Sequence, residues 1–156
     1  MHGLEESELR LFVDSVRNYF KKTTTKEPTI KASYLGTDSI ATHEYNGIVS
    51  FSGSYSGQII VSMPKQLLVS LLVMLNETDV SDNNLLDIVG EIANTLAGNA
   101  RKSLSNGSDL HISVPVKLKS SESARARVRR HPYIIDLSWV SCPALVCIDI
   151  AKTEER

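Results

Sequence analysis

Two helical segments follow each other in the middle of the chain, between two groups of strand-like segments, and this order limits the fold more than any other feature. The first spans residues 65–75, follows Pro64, and is apolar on nearly every side, as a buried helix is. The second runs from about residue 83 to 104, with Ser81 or Asp82 as its N-cap and Asn106 and Gly107 as its stop signal. Because helices and strands come in blocks, the chain predicts an α+β fold.

The remaining segments complete the order α-β-β-β-α-α-β-β-β. Residues 4–20 carry apolar side chains at helical spacing and predict an amphipathic helix. Strand-like stretches occupy residues 29–34, 111–118, 133–140 and 145–150, and residues 47–63 predict a β-hairpin around a Gly/Ser turn at 52–57. Within 111–118, alternation predicts one apolar face, made of Ile112, Val114, Val116 and Leu118. We therefore expect a mostly antiparallel β-sheet packed by helices, with the long helix at its centre.

Length and composition indicate one ordinary globular domain over residues 1–156. Hydrophobic residues make up 42% and charged residues 22%, which excludes a disordered chain. The formal net charge of −1 argues against a protein that binds bulk nucleic acid. The longest apolar run, residues 67–75, is interrupted by Ser70 and is too short to span a membrane. The first ten residues do not resemble a signal peptide, so we expect a cytoplasmic protein without membrane insertion.

Residues that often form metal or nucleophile sites show no such spacing here. The four histidines have no metal-ligand spacing, and Cys142 and Cys147 have no second cysteine pair, so the chain predicts neither a metal site nor a bound cofactor. Both cysteines are expected to be buried strand residues. The Ser/Gly turn lacks the Gly-Lys-Ser/Thr of a phosphate-binding loop.

The long helix has two contrasting faces when each residue is turned by about 100°. The core face is an apolar stripe, made of Leu85, Val89, Ile92, Ala93, Leu96 and Ala100. The opposite, exposed face carries two carboxylates, a carboxamide and a glycine, at Asp87, Glu91, Asn94 and Gly98. Glu91 and Asn94 are three residues apart, so their side chains are neighbours. From spacing alone, an ordinary solvated face is the more frequent explanation of such residues.

The pattern Asp87-x3-Glu91-x2-Asn94, followed by Gly-Asn-Ala at 98–100, resembles the signature of the CheC/CheX/FliY family of chemotaxis phosphatases. Residues 47–64 look like the glycine-punctuated hairpin that leads into a helix in that family. Pro115 stands slightly before the place of the family's proline after the asparagine. The family's CheC and FliY branches carry a second copy of the signature on the first helix. That helix here reads Asp-Ser-Val-Arg-Asn at 14–18, without a glutamate, so the chain resembles CheX, whose members are typically homodimers.

The resemblance implies a mechanism. The substrate would be an aspartyl phosphate on a CheY-type response regulator, in chemotaxis or another two-component system, with Mg²⁺ bound by the regulator. Glu91 would pair with the regulator's active-site lysine, and Asn94 would orient a water in line with the phosphorus. Gly98 would let the helix approach its partner closely. Asp87 would assist docking, or would be an ordinary first-turn acid favoured by the helix dipole.

The exact function, the role of the arginines and the dimer interface stay open at this point. The chain could be a catalytically weak adaptor of the CheC type that binds a response regulator or another chemotaxis protein. A structural flagellar-switch role is disfavoured, because the second signature copy and an appended switch domain are missing. Four arginines between residues 125 and 130 predict a solvated loop or a charged edge strand, with an acidic partner as the functional alternative and nucleic acid third. For the homodimer, a strand edge near Ile148 is one possible interface.

Overall fold

The computed structural model describes residues 2–37, 39–104, 109–120, 125–128 and 132–153. Within these residues the helices are α1 (Glu6–Thr23), α2 (Lys65–Met74) and α3 (Asp82–Ser103). The strands are β1 (His2–Gly3), β2 (Thr29–Leu35), β3 (Ser39–Ala41), β4 (Tyr45–Gly53), β5 (Tyr55–Met63), β6 (Leu110–Ile112), β7 (Val116–Lys119), β8 (Arg125–Arg127), β9 (Tyr133–Trp139) and β10 (Cys142–Lys152). The predicted elements are present, and β1, β3 and β8 are additional short strands.

One eight-stranded sheet dominates the molecule. Its strands follow the order β2-β9-β10-β5-β4-β6, with β1 paired to β10 and β7 paired to β4. Every pairing is antiparallel, which confirms the predicted α+β class. Ile148 lies in β10 between two neighbouring strands and is 2% exposed, so the suggestion of a dimer edge at this residue is wrong.

The helices cover one face of this sheet. The main core joins Phe12, Val16 and Phe20 of α1 to the predicted apolar stripe of α3, all of whose members are buried. Alternate residues of the central strands, such as Ile59 and Val146, meet them from the sheet. Helix α2 buries four leucines but leaves Val73 61% exposed, so the expectation that it is covered on most sides holds only in part.

The opposite face of the sheet carries a smaller layer. Strands β3 and β8 form a two-stranded sheet, and Ile40 of β3 packs on Ile60, Ile134 and Cys147. Two arginines of the predicted basic cluster lie in β8, and the others, Arg129 and Arg130, lie outside the described residues. Because β3 packs on the sheet face turned away from α3, the backbone of β8 is separated from that helix by the sheet.

The predicted continuous strand at 111–118 is wrong in its centre. Ile112 pairs with Phe51 and Val116 pairs with Ile48, so four steps along this segment correspond to three along β4. This extra residue is a bulge, and it lies next to Pro115, which lacks a backbone donor. A slip of one residue turns every following side chain to the other face.

The bulge explains the exposure pattern beyond it. Ile112 packs against the helix-side core, whereas Val114 is 84%, Val116 55% and Leu118 40% exposed. The alternation of these residues in the sequence therefore does not mark one buried face. Instead, the lysines between them, Lys117 and Lys119, are turned towards α3.

The hairpin turns are tighter than the sequence predicts. The turn between β4 and β5 lies at Gly53 and Ser54, with Gly53 at φ +101°, whereas Gly57 lies inside β5. The turn between β9 and β10 is formed by Val140 and Ser141, both at positive φ. Cys142 is thus the first residue of β10. Both cysteines are buried strand residues, as predicted, and both are free. Helix α3 ends at Ser103, and its predicted stop signal at 106 and 107 lies outside the described residues.

Candidate active site

Helix α3 lies directly on the backbone of β4. Ser81 is its N-cap and accepts a hydrogen bond from the backbone of Asn84, as predicted for this position. A Cβ added to Gly47 of β4 would lie 2.6 Å from the carbonyl oxygen of Val89. The absence of that atom lets the middle of the helix approach the sheet, where a larger side chain would push it outwards. The helix is therefore packed closely against the sheet, with its outer face turned away from β4.

The outer face presents Glu91 and Asn94 to solvent. Both residues are exposed, and neither side chain forms a hydrogen bond or ion pair with another residue that the structure describes. Helical geometry places the two side chains next to each other, one turn apart. The helix thus offers a free carboxylate beside a free carboxamide, held on a scaffold that is buried on its other side.

Gly98 lies one turn beyond Asn94 on the same face. A Cβ built at this position would have no neighbour within 4 Å among the described residues. Nothing inside the described chain therefore explains a glycine in the middle of this helix, which costs about 0.5–1 kcal/mol relative to alanine. The predicted approach of a partner at Gly98 stays a prediction.

Asp87 differs from the other two polar residues because it already has a partner. Its Oδ1 lies 2.7 Å from Nζ of Lys117, which reaches over from β7. Asp87 lies in the second turn, and the acid of the first turn is Asp82, so the alternative of an ordinary first-turn acid does not describe Asp87. The site therefore contains one paired carboxylate and one free carboxylate.

Lys117 can reach Asp87 because Gly90 leaves room for it. A Cβ on Gly90 would lie 2.7 Å from both Cγ and Cδ of Lys117, and 3.6 Å from Cβ of Pro115. The aliphatic part of Lys117 thus runs across the surface of α3 at Gly90 before its ammonium meets Asp87. Sequence reasoning missed Lys117 and Gly90; a glycine inside a helix was the available signal for a close approach.

A second ion pair fastens the start of α3 to β7. Lys119 Nζ lies 3.1 Å from Oδ2 of Asp82, and the hydroxyl of Tyr45 donates a short hydrogen bond to Oδ1 of the same carboxylate. These two hydrogen bonds hold the pKa of Asp82 below its usual range. Lys119 also lies over the ring of Tyr45, 5.6 Å from its centroid. Helix α3 is therefore tied to the sheet on the side from which Lys117 approaches.

Helix α1 borders the other side of the face. Tyr19 of α1 is half-buried. Burial, and after it the nearby charge of Glu91, raise the pKa of its hydroxyl to about 12, whereas a hydrogen bond with Thr23 acts in the opposite direction. Tyr19 is therefore an uncharged hydrogen-bonding group near Glu91 at neutral pH. Further along, Nδ2 of Asn99 donates to Oγ of Ser15 at 2.9 Å and joins the two helices.

The described residues contain no group of three or more His, Cys, Asp or Glu side chains arranged to hold a metal ion. Burial raises the pKa of the Cys147 thiol to about 12, and Asp149 adds to this, so the thiol is protonated at neutral pH. None of the helices described is both long and apolar enough to cross a membrane.

The family of the chain is decided by a sequence comparison. The family model of the chemotaxis phosphatase CheX matches residues 45–138, which is more than half of the chain. The chain belongs to the CheX family. The matched residues include all of α3, the hairpin of β4 and β5, and β7. No curated protein sequence matches the chain significantly.

Solved structures share the whole fold with this CheX-family chain. A CheC-like superfamily protein from Shewanella sp. PV-4 superposes with a TM-score of 0.83 at 22% identity, over 95% of this chain and 99% of that one. Chemotaxis protein CheX from Vibrio vulnificus gives 0.79 at 21% identity, over 93% and 99%. A chain from the CheX–CheY–BeF3–Mg²⁺ complex of Borrelia burgdorferi gives 0.70 at 20% identity, over 93% and 98%. At these identities the likeness establishes the fold.

Proposed function

We propose that this protein hydrolyses the aspartyl phosphate of a CheY-type response regulator, with Glu91 and Asn94 as its catalytic residues. The observation that carries the proposal is the free Glu91–Asn94 pair on the exposed face of α3, in a chain of the CheX phosphatase family. A convex helix face suits a substrate that is itself a protein, because the reacting group must be brought to the helix by the partner.

Asn94 would act on the attacking water. Its carboxamide both accepts and donates hydrogen bonds, so it can orient a water in line with the phosphorus without acting as a strong base. Phosphoryl transfer depends mainly on positioning and on stabilisation of charge. A carboxamide that only orients the attacking water is therefore enough for catalysis by this chain. The water attacks the phosphorus, the bond to the aspartyl oxygen breaks, and inorganic phosphate leaves.

Glu91 would fix the docking position. Its free carboxylate can accept hydrogen bonds from the ammonium of a lysine next to the phosphorylated aspartate of the regulator. Because Glu91 and Asn94 are neighbours on the helix, this ion pair would place the carboxamide at the phosphoryl group. Gly98 leaves open space on the same face, which supports a close approach of the partner there.

The Mg²⁺ of the reaction would be bound by the regulator and would stabilise charge on the phosphoryl oxygens. The Borrelia burgdorferi complex contains CheX, CheY, BeF3 and Mg²⁺ together, which supports this arrangement for the present chain. The work of this chain is then limited to docking and to the orientation of water.

The test is phosphate release from a purified, Mg²⁺-loaded, phosphorylated CheY-type regulator of the same cell. Wild type should accelerate the release, and Asn94→Ala should remove the acceleration while binding to the regulator is kept. Glu91→Ala should weaken both binding and turnover. If wild type binds the regulators of the cell but accelerates none, the adaptor function replaces the phosphatase function.

We also propose a homodimer, and its most suitable edge is β7 rather than β10. In the described part of the chain, β7 pairs only with β4, and the neighbouring Val114 and Val116 are largely exposed. Unpaired strand edges and exposed apolar side chains both favour association. Sedimentation should show a dimer for wild type and a shift to monomer for the Val114→Lys, Val116→Lys double variant; an unchanged dimer would exclude this edge.

A further inference from the structure

We propose that Lys117 is a positioning residue that decides which carboxylate of α3 receives the basic group of the regulator. By occupying Asp87, Lys117 leaves Glu91 as the carboxylate that is free to dock the partner. This inference rests on the proposed docking role of Glu91, and it concerns the selection of one docking register over another.

The ambiguity that Lys117 would remove is built into the helix. Asp87 and Glu91 are four residues apart, so they lie on one face and are separated by about 6 Å along the helix axis. Both carboxylates are exposed, Asp87 to 63% of its side chain. An incoming ammonium group could therefore pair with either one. Pairing with Asp87 would shift the regulator by one helical turn.

Such a shift would separate the reacting groups. Asn94 is three residues after Glu91 but seven after Asp87, so the carboxamide would lie about one turn away from the phosphoryl group in the shifted register. Hydrolysis needs the water and the phosphorus within about 3–3.5 Å of each other, and misplacement by 1 Å already costs much of the rate. The shifted register would bind the regulator without turning it over.

The position of Lys117 makes it suited to this task. Its Nζ lies 2.7 Å from Oδ1 of Asp87, and its aliphatic stem crosses the helix where Gly90 has no Cβ. The stem is held between β7 and α3, so less side-chain entropy is lost when the ion pair forms than in a freely exposed pair. The ammonium group compensates the charge of Asp87 and binds its Oδ1, so that a second lysine gains less there than at Glu91.

A non-productive register has a specific kinetic signature. It lowers kcat and KM by the same factor and leaves kcat/KM unchanged, because the non-productive complex binds substrate without affecting the productive encounter. Two registers of equal affinity would halve the productive complex, so the expected change is about two-fold or more. Loss of a direct contact to the substrate would instead raise KM and lower kcat/KM.

The experiment compares Lys117→Met, Asp87→Asn and the double variant in steady-state dephosphorylation of the Mg²⁺-loaded, phosphorylated regulator. Lys117→Met keeps the apolar stem over Gly90 and frees Asp87. We expect kcat and KM to fall together by about two-fold or more, and Asp87→Asn in the same chain to restore both. Lys117→Arg, which keeps a cation for Asp87, should behave like wild type.

A parallel binding measurement separates this inference from the proposed function. The dissociation constant of the regulator loaded with Mg²⁺ and beryllofluoride should fall with Lys117→Met and return with the added Asp87→Asn change. If wild type has no phosphatase activity but the binding pattern holds, the register inference stands and the catalytic proposal fails. If Lys117→Met changes nothing, or raises KM without rescue by Asp87→Asn, the inference is wrong.

Discussion

Helices α1 and α3 lie side by side on the same sheet face, but only α3 carries a free glutamate three residues before a free asparagine. On α3, Glu91 and Asn94 are three residues apart and both exposed. On α1, Asn18 is exposed in the same way, but the residue three positions before it is Ser15, which is 8% exposed and accepts a hydrogen bond from Asn99 of α3. The position of Glu91 is free on α3, whereas the equivalent position on α1, Ser15, is used for packing between the helices.

The difference shows how helix packing limits the number of sites. A glutamate at position 15 would place its carboxylate in the contact between the two helices, beside the side chain of Asn99. A second signature on α1 would therefore need a different packing of the two helices, as well as a different sequence. The α1–α3 contact therefore accounts for a single copy of the proposed site.

The largest stability effect should come from the core that both helices share. Phe12→Ala removes a ring that is 2% exposed, and we expect a loss of about 3–5 kcal/mol in the free energy of unfolding. The neighbouring Leu11→Ala, at a residue 38% exposed, should cost less than about 1 kcal/mol. Urea denaturation of both variants gives the comparison, and equal losses would contradict the described burial of α1.

Placing a glutamate on α1 tests the comparison directly. Ser15→Glu should destabilise the protein by about 3 kcal/mol, because an unpaired charge would be buried against Asn99. The variant should gain no additional phosphatase activity. Ser15→Ala is the matched control, with an expected loss of about 1 kcal/mol. A stable Ser15→Glu variant with increased turnover would show that α1 can carry a second site.

Much of the helix pair could be predicted from the sequence, because helical periodicity is a local property. The buried stripe of α3 and its exposed residues Glu91 and Asn94 follow from a rotation of about 100° per residue. The contact between Lys117 and Asp87 could not be predicted in the same way. It depends on a bulge next to Pro115 that turns Lys117 towards the helix, and the side-chain alternation of 111–118 gives no sign of that extra residue.

The contact between the helices should make a smaller contribution than the core. Asn99→Ala removes the hydrogen bond to Ser15, and we expect a loss of about 1 kcal/mol in the free energy of unfolding. Phosphatase activity should be retained, since Asn99 faces α1 rather than the exposed face. Thermal or urea denaturation and a phosphate-release assay measure the two quantities. A loss of activity without a loss of stability would place Asn99 in the site instead.

The smallest effect concerns pH and a region outside both helices. Burial lowers the pKa of His43 below its usual range, although Asp136 opposes this. As the pH falls below about 6.5, the unfolded chain therefore binds a proton at His43 before the folded protein does, and the free energy of unfolding decreases. His43→Gln should reduce the slope of unfolding free energy against pH between 6.5 and the lowered pKa. An unchanged slope would contradict the assigned shift.

The most direct test of the site on α3 uses the two exposed asparagines of the helix pair. Asn94→Ala and Asn18→Ala remove the same group from neighbouring helices, and both side chains are exposed, so neither should affect folding. We would measure the initial rate of phosphate release from the Mg²⁺-loaded, phosphorylated regulator with each variant. We expect Asn94→Ala to lower the acceleration by roughly 100-fold or more, and Asn18→Ala to keep the wild-type rate. Equal rates for the two variants would contradict this expectation.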